Sequence, residues 1–110
     1  MRFLIFLLAV SAFAQNGTPP TVVSLAWEDA RNPTGVSYSV YRSNSLCSAT
    51  SLFVKVATVP AKSYEDTNVA PGNYCYRVTA ALNSLESSPS NSVDVTIPLR
   101  PPVALSATVK

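Results

Sequence analysis

The chain has 110 residues, 47% of them hydrophobic and 13% charged, with a formal net charge of +2. That length suits one domain and leaves too little for a second independent core. The scattered charges form no basic stripe, so neither nucleic acid nor an anionic membrane surface is an expected partner, and the absence of histidine removes the commonest general base and metal ligand.

Residues 1–14 read as a secretory leader. Arg2 gives a positive start, residues 3–10 form an unbroken apolar run, and Ala12-Phe13-Ala14 supplies the small-x-small pattern that signal peptidase recognises. The run is too short to span a bilayer, which takes about 20 residues. No Cys follows the cleavage position, which argues against a lipoprotein anchor. The mature chain would begin at Gln15 and contain no membrane span; the leader is also the one candidate helix.

Beyond the leader, short alternating runs are separated by turn residues, which argues for an all-β sandwich. Val23, Leu25 and Trp27 alternate with Ser24 and Ala26, and Asn32-Pro33-Thr34-Gly35 is a turn signal. Tyr38 and Val40 alternate with Ser37 and Ser39. Residues 43–51 are polar and loop-like, residues 53–59 are rich in strand formers, and Pro71-Gly72 marks a tight turn. Tyr74, Tyr76, Val78 and Ala80 make the longest alternating face. Residues 83–90 read as a polar loop, and Val93, Val95 and Ile97 close the pattern before Pro98.

Cys47 and Cys75 are the two cysteines. In a small exported chain a pair reads as a disulfide, the alternative being two buried free thiols. A bridge would close a loop of nearly thirty residues and contribute roughly 3–4 kcal/mol on the loop-entropy model.

Several motifs together resemble the fibronectin type III family, in the form found beside bacterial extracellular domains. They are a Trp ending an early strand, Tyr-x-Val-Tyr-Arg at 38–42, Pro-Gly-x-Tyr-x-Tyr-Arg-Val-x-Ala at 71–80, and Glu-Ser-Ser-Pro-Ser-Asn-Ser-Val-x-Val at 86–95. The resemblance covers residues 21–98 and implies an immunoglobulin-like β-sandwich. It implies strand B at 22–27, C at 37–42, C′ at 53–59, E at 63–66, F at 73–82 and G at 92–97. Tyr74 falls at the tyrosine-corner position, whose hydroxyl bonds backbone across the E–F turn. Trp27, Tyr38, Val40, Tyr76 and Val78 would form the central core. Alternation puts Cys75 on the opposite face from Tyr74 and Tyr76, outside that core, where Cys47 could reach it as a surface staple.

The chain departs from the family at strand A. Residues 15–20 hold two prolines and a glycine and make a poor strand, so strand A is expected to be missing or supplied by the C-terminal segment. The division is therefore a leader at 1–14, the sandwich at 15–98 and a tail at 99–110 that resembles a strand A. In the tail, Val103, Leu105, Ala107 and Val109 share one face. It can hang free, fold back beside strand B in parallel, or enter a second copy antiparallel as a donated strand.

No catalytic, cofactor or metal site is expected. No Ser–His–Asp or Cys–His arrangement can be assembled, the chain holds only three glycines and no phosphate-binding loop, and Cys47 and Cys75 have no histidine to join them around a metal. The neighbours Glu28-Asp29 and Glu65-Asp66 point to opposite faces of a strand. A weak calcium site at Glu28 and Asp29 is conceivable, but a solvated acidic loop is the plainer reading. Asn16-Gly17-Thr18 is a glycosylation sequon that would matter only in a eukaryotic host.

These readings point to a secreted or periplasmic, non-catalytic binding module. Its contact surface would be the loops at 29–36 and 83–90, and its partner a protein or polysaccharide. A structural subunit assembling head to tail through residues 101–110 is the alternative. A small inhibitor using the 43–51 loop is a third class, though nothing in that loop mimics a substrate.

Overall fold

The computed structural model describes residues 5–13 and 21–110, the first segment as backbone alone. Its elements are all strands: β1 (Ile5–Phe13), β2 (Thr21–Asp29), β3 (Ser37–Ser43), β4 (Val54–Val59), β5 (Ser63–Val69), β6 (Gly72–Leu82), β7 (Leu85–Glu86) and β8 (Val93–Ile97). One sheet has the order β1-β2-β5. In the other, β4-β3-β6 continues into β7 and β8, which lie end to end along the free side of β6. Every paired neighbour runs antiparallel. Among the described residues no helix is long and apolar enough to cross a membrane.

The alternation seen in the sequence decides which face each strand buries. Thr21, Val23, Leu25, Trp27 and Asp29 of β2 point inward while their neighbours are partly or fully exposed. Across the gap stand Tyr38 and Val40 of β3, Tyr74, Tyr76, Val78 and Ala80 of β6, and Val95 and Ile97 of β8. Trp27 meets Tyr38 edge to face, with ring centroids 5.6 Å apart, the geometry that suits the ring quadrupoles.

A polar bridge crosses this apolar gap. Asp66 on β5 accepts from Arg42 Nη1 of β3 at 2.7 Å and from the Tyr76 hydroxyl of β6 at 2.6 Å. Tyr76 is fully buried and Asp66 nearly so. Burial, and then the bond to Asp66, pushes the Tyr76 hydroxyl well above its usual pKa, so it stays a donor at any physiological pH. At the E–F turn, Tyr74 Oη donates to the Ala70 carbonyl at 2.6 Å. Gly72 (φ +157°) lies under that ring, and a Cβ there would come within 3.4 Å of Tyr74 Oη.

Two expectations fail at the N-terminus. The position beside β2 is neither missing nor filled by the C-terminal segment: it is taken by Ile5–Phe13, paired antiparallel from Ile5↔Asp29 to Phe13↔Val22. The apolar stretch read as a leader is therefore a strand here, not a helix. The physical reason is the unpaired edge of β2, which can supply a ladder of backbone partners to an adjacent apolar segment. Residues 98–110 carry no secondary structure, and residues 101–110 are all exposed. The sequon at Asn16 and the poor-strand segment 15–20 lie outside the described residues.

Candidate functional site

The two loops singled out in the sequence meet at one pole of the sandwich. The B–C loop is fixed by Asp29, the last residue of β2. Asp29 Oδ1 accepts from the backbone N–H groups of Arg31 (3.3 Å) and Asn32 (3.2 Å). Its Oδ2 accepts from Asn32 Nδ2 (2.7 Å) and from the Tyr38 hydroxyl (2.8 Å). Lys62 Nζ donates to the Asp29 carbonyl. Asp29 is thus buried and satisfied by protein donors, which corrects the expectation of a solvated acidic loop. Among the described residues no group of three metal-ligating side chains occurs.

Burial alone would raise the Asp29 carboxyl, but the bonds from Asn32, Tyr38 and Arg31 outweigh it and hold the group below its ordinary value. Tyr38 moves the other way, pushed up to about 12 by burial and then by the Asp29 carboxylate. A carboxyl depressed on folding stabilises the protein above its unfolded pKa of about 4, and that stability is lost as pH falls below this value through the folded one. Melting temperature should therefore drop as pH falls below about 4. Asp29→Asn should cost about 1–2 kcal/mol near pH 6 and make the acid drop shallower. Thermal melts of both proteins from pH 6 to pH 2 provide the check, and parallel curves would contradict the assignment.

The other wall is a hairpin where a plain loop was expected. β6 turns through Asn83 and Ser84 into β7, with Asn83 in the left-handed region (φ 56°), a conformation Asn tolerates. Serine chemistry then carries the chain back along β6. Ser87 donates its N–H to the Ala80 carbonyl and accepts from the Ala80 N–H at its hydroxyl. Ser90 does the same with Val78. Each hydroxyl stands in for a strand carbonyl, so Pro89 can sit between them without leaving β6 amides unpaired.

Between the walls lies an apolar cleft of about 60 Å³, lined by Pro33 and Val36 on one side and Ala80, Leu82 and Leu85 on the other, with Asn32 and Ser87 at its margins. Leu85 is 69% exposed at its lip. The hairpin is braced from the outer sheet face: Glu86 Oε2 accepts from the Tyr41 hydroxyl and from Thr79 Oγ1. Those two bonds hold the Glu86 carboxyl below its ordinary value, and the bond to Glu86, with some burial, raises Tyr41.

The same outer face carries the disulfide. Cys47 and Cys75 are bridged, with Cα atoms 4.9 Å apart. Cys75 lies outside the hydrophobic cluster yet is fully buried. The bridge is a staple on that face, but it is not exposed at the Cys75 end, because the C–C′ loop covers it. The Cys47 N–H donates to Asp94 Oδ1 at 2.6 Å, pinning that loop also to β8. Beside it the Arg77 guanidinium stacks 3.8 Å over the Phe53 ring.

Of the other residues singled out, Trp27, Tyr38, Val40, Tyr76 and Val78 lie together in the inter-sheet cluster. Val103, Leu105, Ala107 and Val109 make no strand and stand in solvent. The Asp29 and Asp66 networks and the serine return were not legible. Their signals, acids at inward positions of strands and a Ser-Ser-Pro-Ser run, have many commoner explanations.

No family model matches the chain. In an alignment of 86 residues that covers 74% of the chain, it is 35% identical to an amylopullulanase of Thermoanaerobacter thermohydrosulfuricus, and the match takes in 6% of that enzyme. An Fn3-like protein from Clostridium thermocellum superposes with a TM-score of 0.61 at 26% identity, over 87% of this chain and 95% of that one. A human fibronectin type III domain superposes with a TM-score of 0.65 at 17% identity, over 96% and 85% of the two chains. With its two antiparallel sheets and their strand order, the chain is a β-sandwich with the fibronectin type III fold.

Proposed function

We propose that this chain is an exported, non-catalytic interaction module that uses the loop pole to contact a protein neighbour among polysaccharide-processing enzymes. The observation that carries the reading is the cleft itself: two independently anchored loops enclose an aliphatic hollow on a rigid sandwich. About 60 Å³ suits one small aliphatic side chain. The lining residues include no aromatic ring on which a sugar could stack, which favours a protein contact over direct glycan binding. The polysaccharide setting is suggested by the likeness to a segment of an amylopullulanase. Export, to the periplasm or the medium, is supported by the leader pattern at residues 1–14 and by the Cys47–Cys75 bridge, which needs an oxidising compartment to persist. A chain without histidine has little with which to build a hydrolytic centre.

The test is binding by the immobilised protein of the exported protein fraction of its own host, alongside electrophoresis through gels containing pullulan or soluble starch. Leu85→Asp should weaken retention of the protein partner at least about tenfold, because it places a charge where an aliphatic group must dock. The polysaccharide gels should leave mobility unchanged. Retardation by polysaccharide that Leu85→Asp does not alter would overturn the reading.

A further inference from the structure

The apolar tail has the alternation of a strand but forms none. Val103, Leu105 and Val109 are 84%, 96% and 103% exposed, and Ala104 is held at φ 60°, a region a residue with a Cβ seldom occupies. Alternation over residues 103–109 is that of a strand with one buried face. Pro101-Pro102 ahead of it gives a stiff, extended approach.

Open edges remain at β4, β5 and β8, and the position beside β2, where β1 now lies, is one that accepts an antiparallel strand. β1 belongs to the stretch that reads as a leader, so cleavage after Ala14 would remove it and bare the edge of β2. We infer that in the exported protein residues 103–109 of one copy take the β1 position beside β2 of a second copy, joining copies head to tail. This rests on the export reading above, though not on the loop pole or its partner.

Strand polarity selects the second copy over the chain's own tail. β2 starts at Thr21, which pairs with Val69 at the end of β5. β8 ends at Ile97, which pairs with Gly72 at the start of β6. Thr21, Val69, Pro71, Pro98 and Arg100 line one hollow, so the tail departs from the pole where β2 begins. Folding back onto its own β2, the tail would run parallel to it, whereas β1 shows the position accepting an antiparallel strand. A tail that reaches another copy at the pole holding Asp29 runs in the direction of β1. Pairing there would extend Ala104, cover the apolar face of the tail and close the β2 edge. Because donor and acceptor surfaces differ, the contact is heterologous and need not close into a ring.

The experiment is sedimentation velocity over a concentration series. The full chain is produced through a bacterial export pathway, and mass spectrometry identifies its first residue. The processed protein, beginning at Gln15, should form a concentration-dependent series of oligomers. Leu105→Asp and Ser106→Pro alter only exposed tail residues, so they should fold normally by circular dichroism and sediment as monomers at concentrations where the wild type is mostly oligomeric. The unprocessed precursor, its β1 position filled, should stay monomeric. Monomeric processed protein, oligomers that survive both substitutions, or an exported protein that keeps residues 1–14 would each overturn the inference. No binding partner is added, so failure of the Leu85 contact would leave this readout unchanged.

Discussion

Replacing both Cys47 and Cys75 by alanine is expected to lower the free energy of unfolding by about 3–4 kcal/mol. The bridge joins residues 28 apart, and releasing a loop of that size restores roughly this much chain entropy to the unfolded state. For a sandwich of this size the loss corresponds to about 15–25 °C in melting temperature. Because Cys75 lies beneath the C–C′ loop and outside the inter-sheet cluster, the cavity left by its sulfur should add little. The effect should appear mainly in the denatured-state term, so reducing the wild type with dithiothreitol should reproduce it. Thermal melts of the double variant and of reduced wild type provide the check. A loss below about 1 kcal/mol in both would mean that the loop is held by its other contacts, chiefly the Cys47 N–H to Asp94 bond.

Asp66→Ala should cost about 3–4 kcal/mol through a different mechanism. The carboxylate joins the two sheets by accepting from Arg42 and from Tyr76. Removing it leaves the Tyr76 hydroxyl fully buried without an acceptor and a guanidinium without its counter-charge. Breaking one side of a buried pair costs more than the pair is worth, because the orphaned partner keeps its desolvation penalty. The Arg42 side chain is 29% exposed, so water relieves part of that penalty. If the orphaned groups are the cause, adding Tyr76→Phe and Arg42→Met to Asp66→Ala should recover a substantial part of the loss. Denaturant unfolding of the single and triple variants decides the matter. A triple variant as unstable as the sum of its parts would point to packing instead.

The sandwich was readable in the sequence because a strand with one buried face writes its burial every second residue. Val23-Leu25-Trp27 and Tyr74-Tyr76-Val78 carry that pattern without interruption, and the strands fall within a few residues of their expected limits. The 83–90 hairpin did not show itself, because a two-residue strand has no period and the return beyond it pairs through serine hydroxyls acting as carbonyl substitutes. Asp29 and Asp66 were hidden for a related reason. Composition marks an acid as polar, and only tertiary contact shows whether Tyr38, Asn32, Arg42 or Tyr76 arrives to satisfy it. At the N-terminus, an apolar run of a leader and an apolar edge strand have the same composition. The sequence pattern favoured the leader, and the open edge of β2 draws the same residues into a ladder.

The loops of the candidate site were placed correctly by chain position, since the B–C and F–G connections of this architecture emerge at one end. What position could not give is the cleft between them, which exists because Asp29 fixes one wall and the Glu86 brace fixes the other.

We propose a non-catalytic sandwich that acts through its loop pole. Its most direct test is site-specific photocross-linking in the exporting host, with a benzophenone side chain placed at Leu85 on the pole or at Thr58 on the outer sheet face. An adduct to another polypeptide is expected from Leu85 and none from Thr58. Adducts from Thr58 alone, or from neither position, would contradict it.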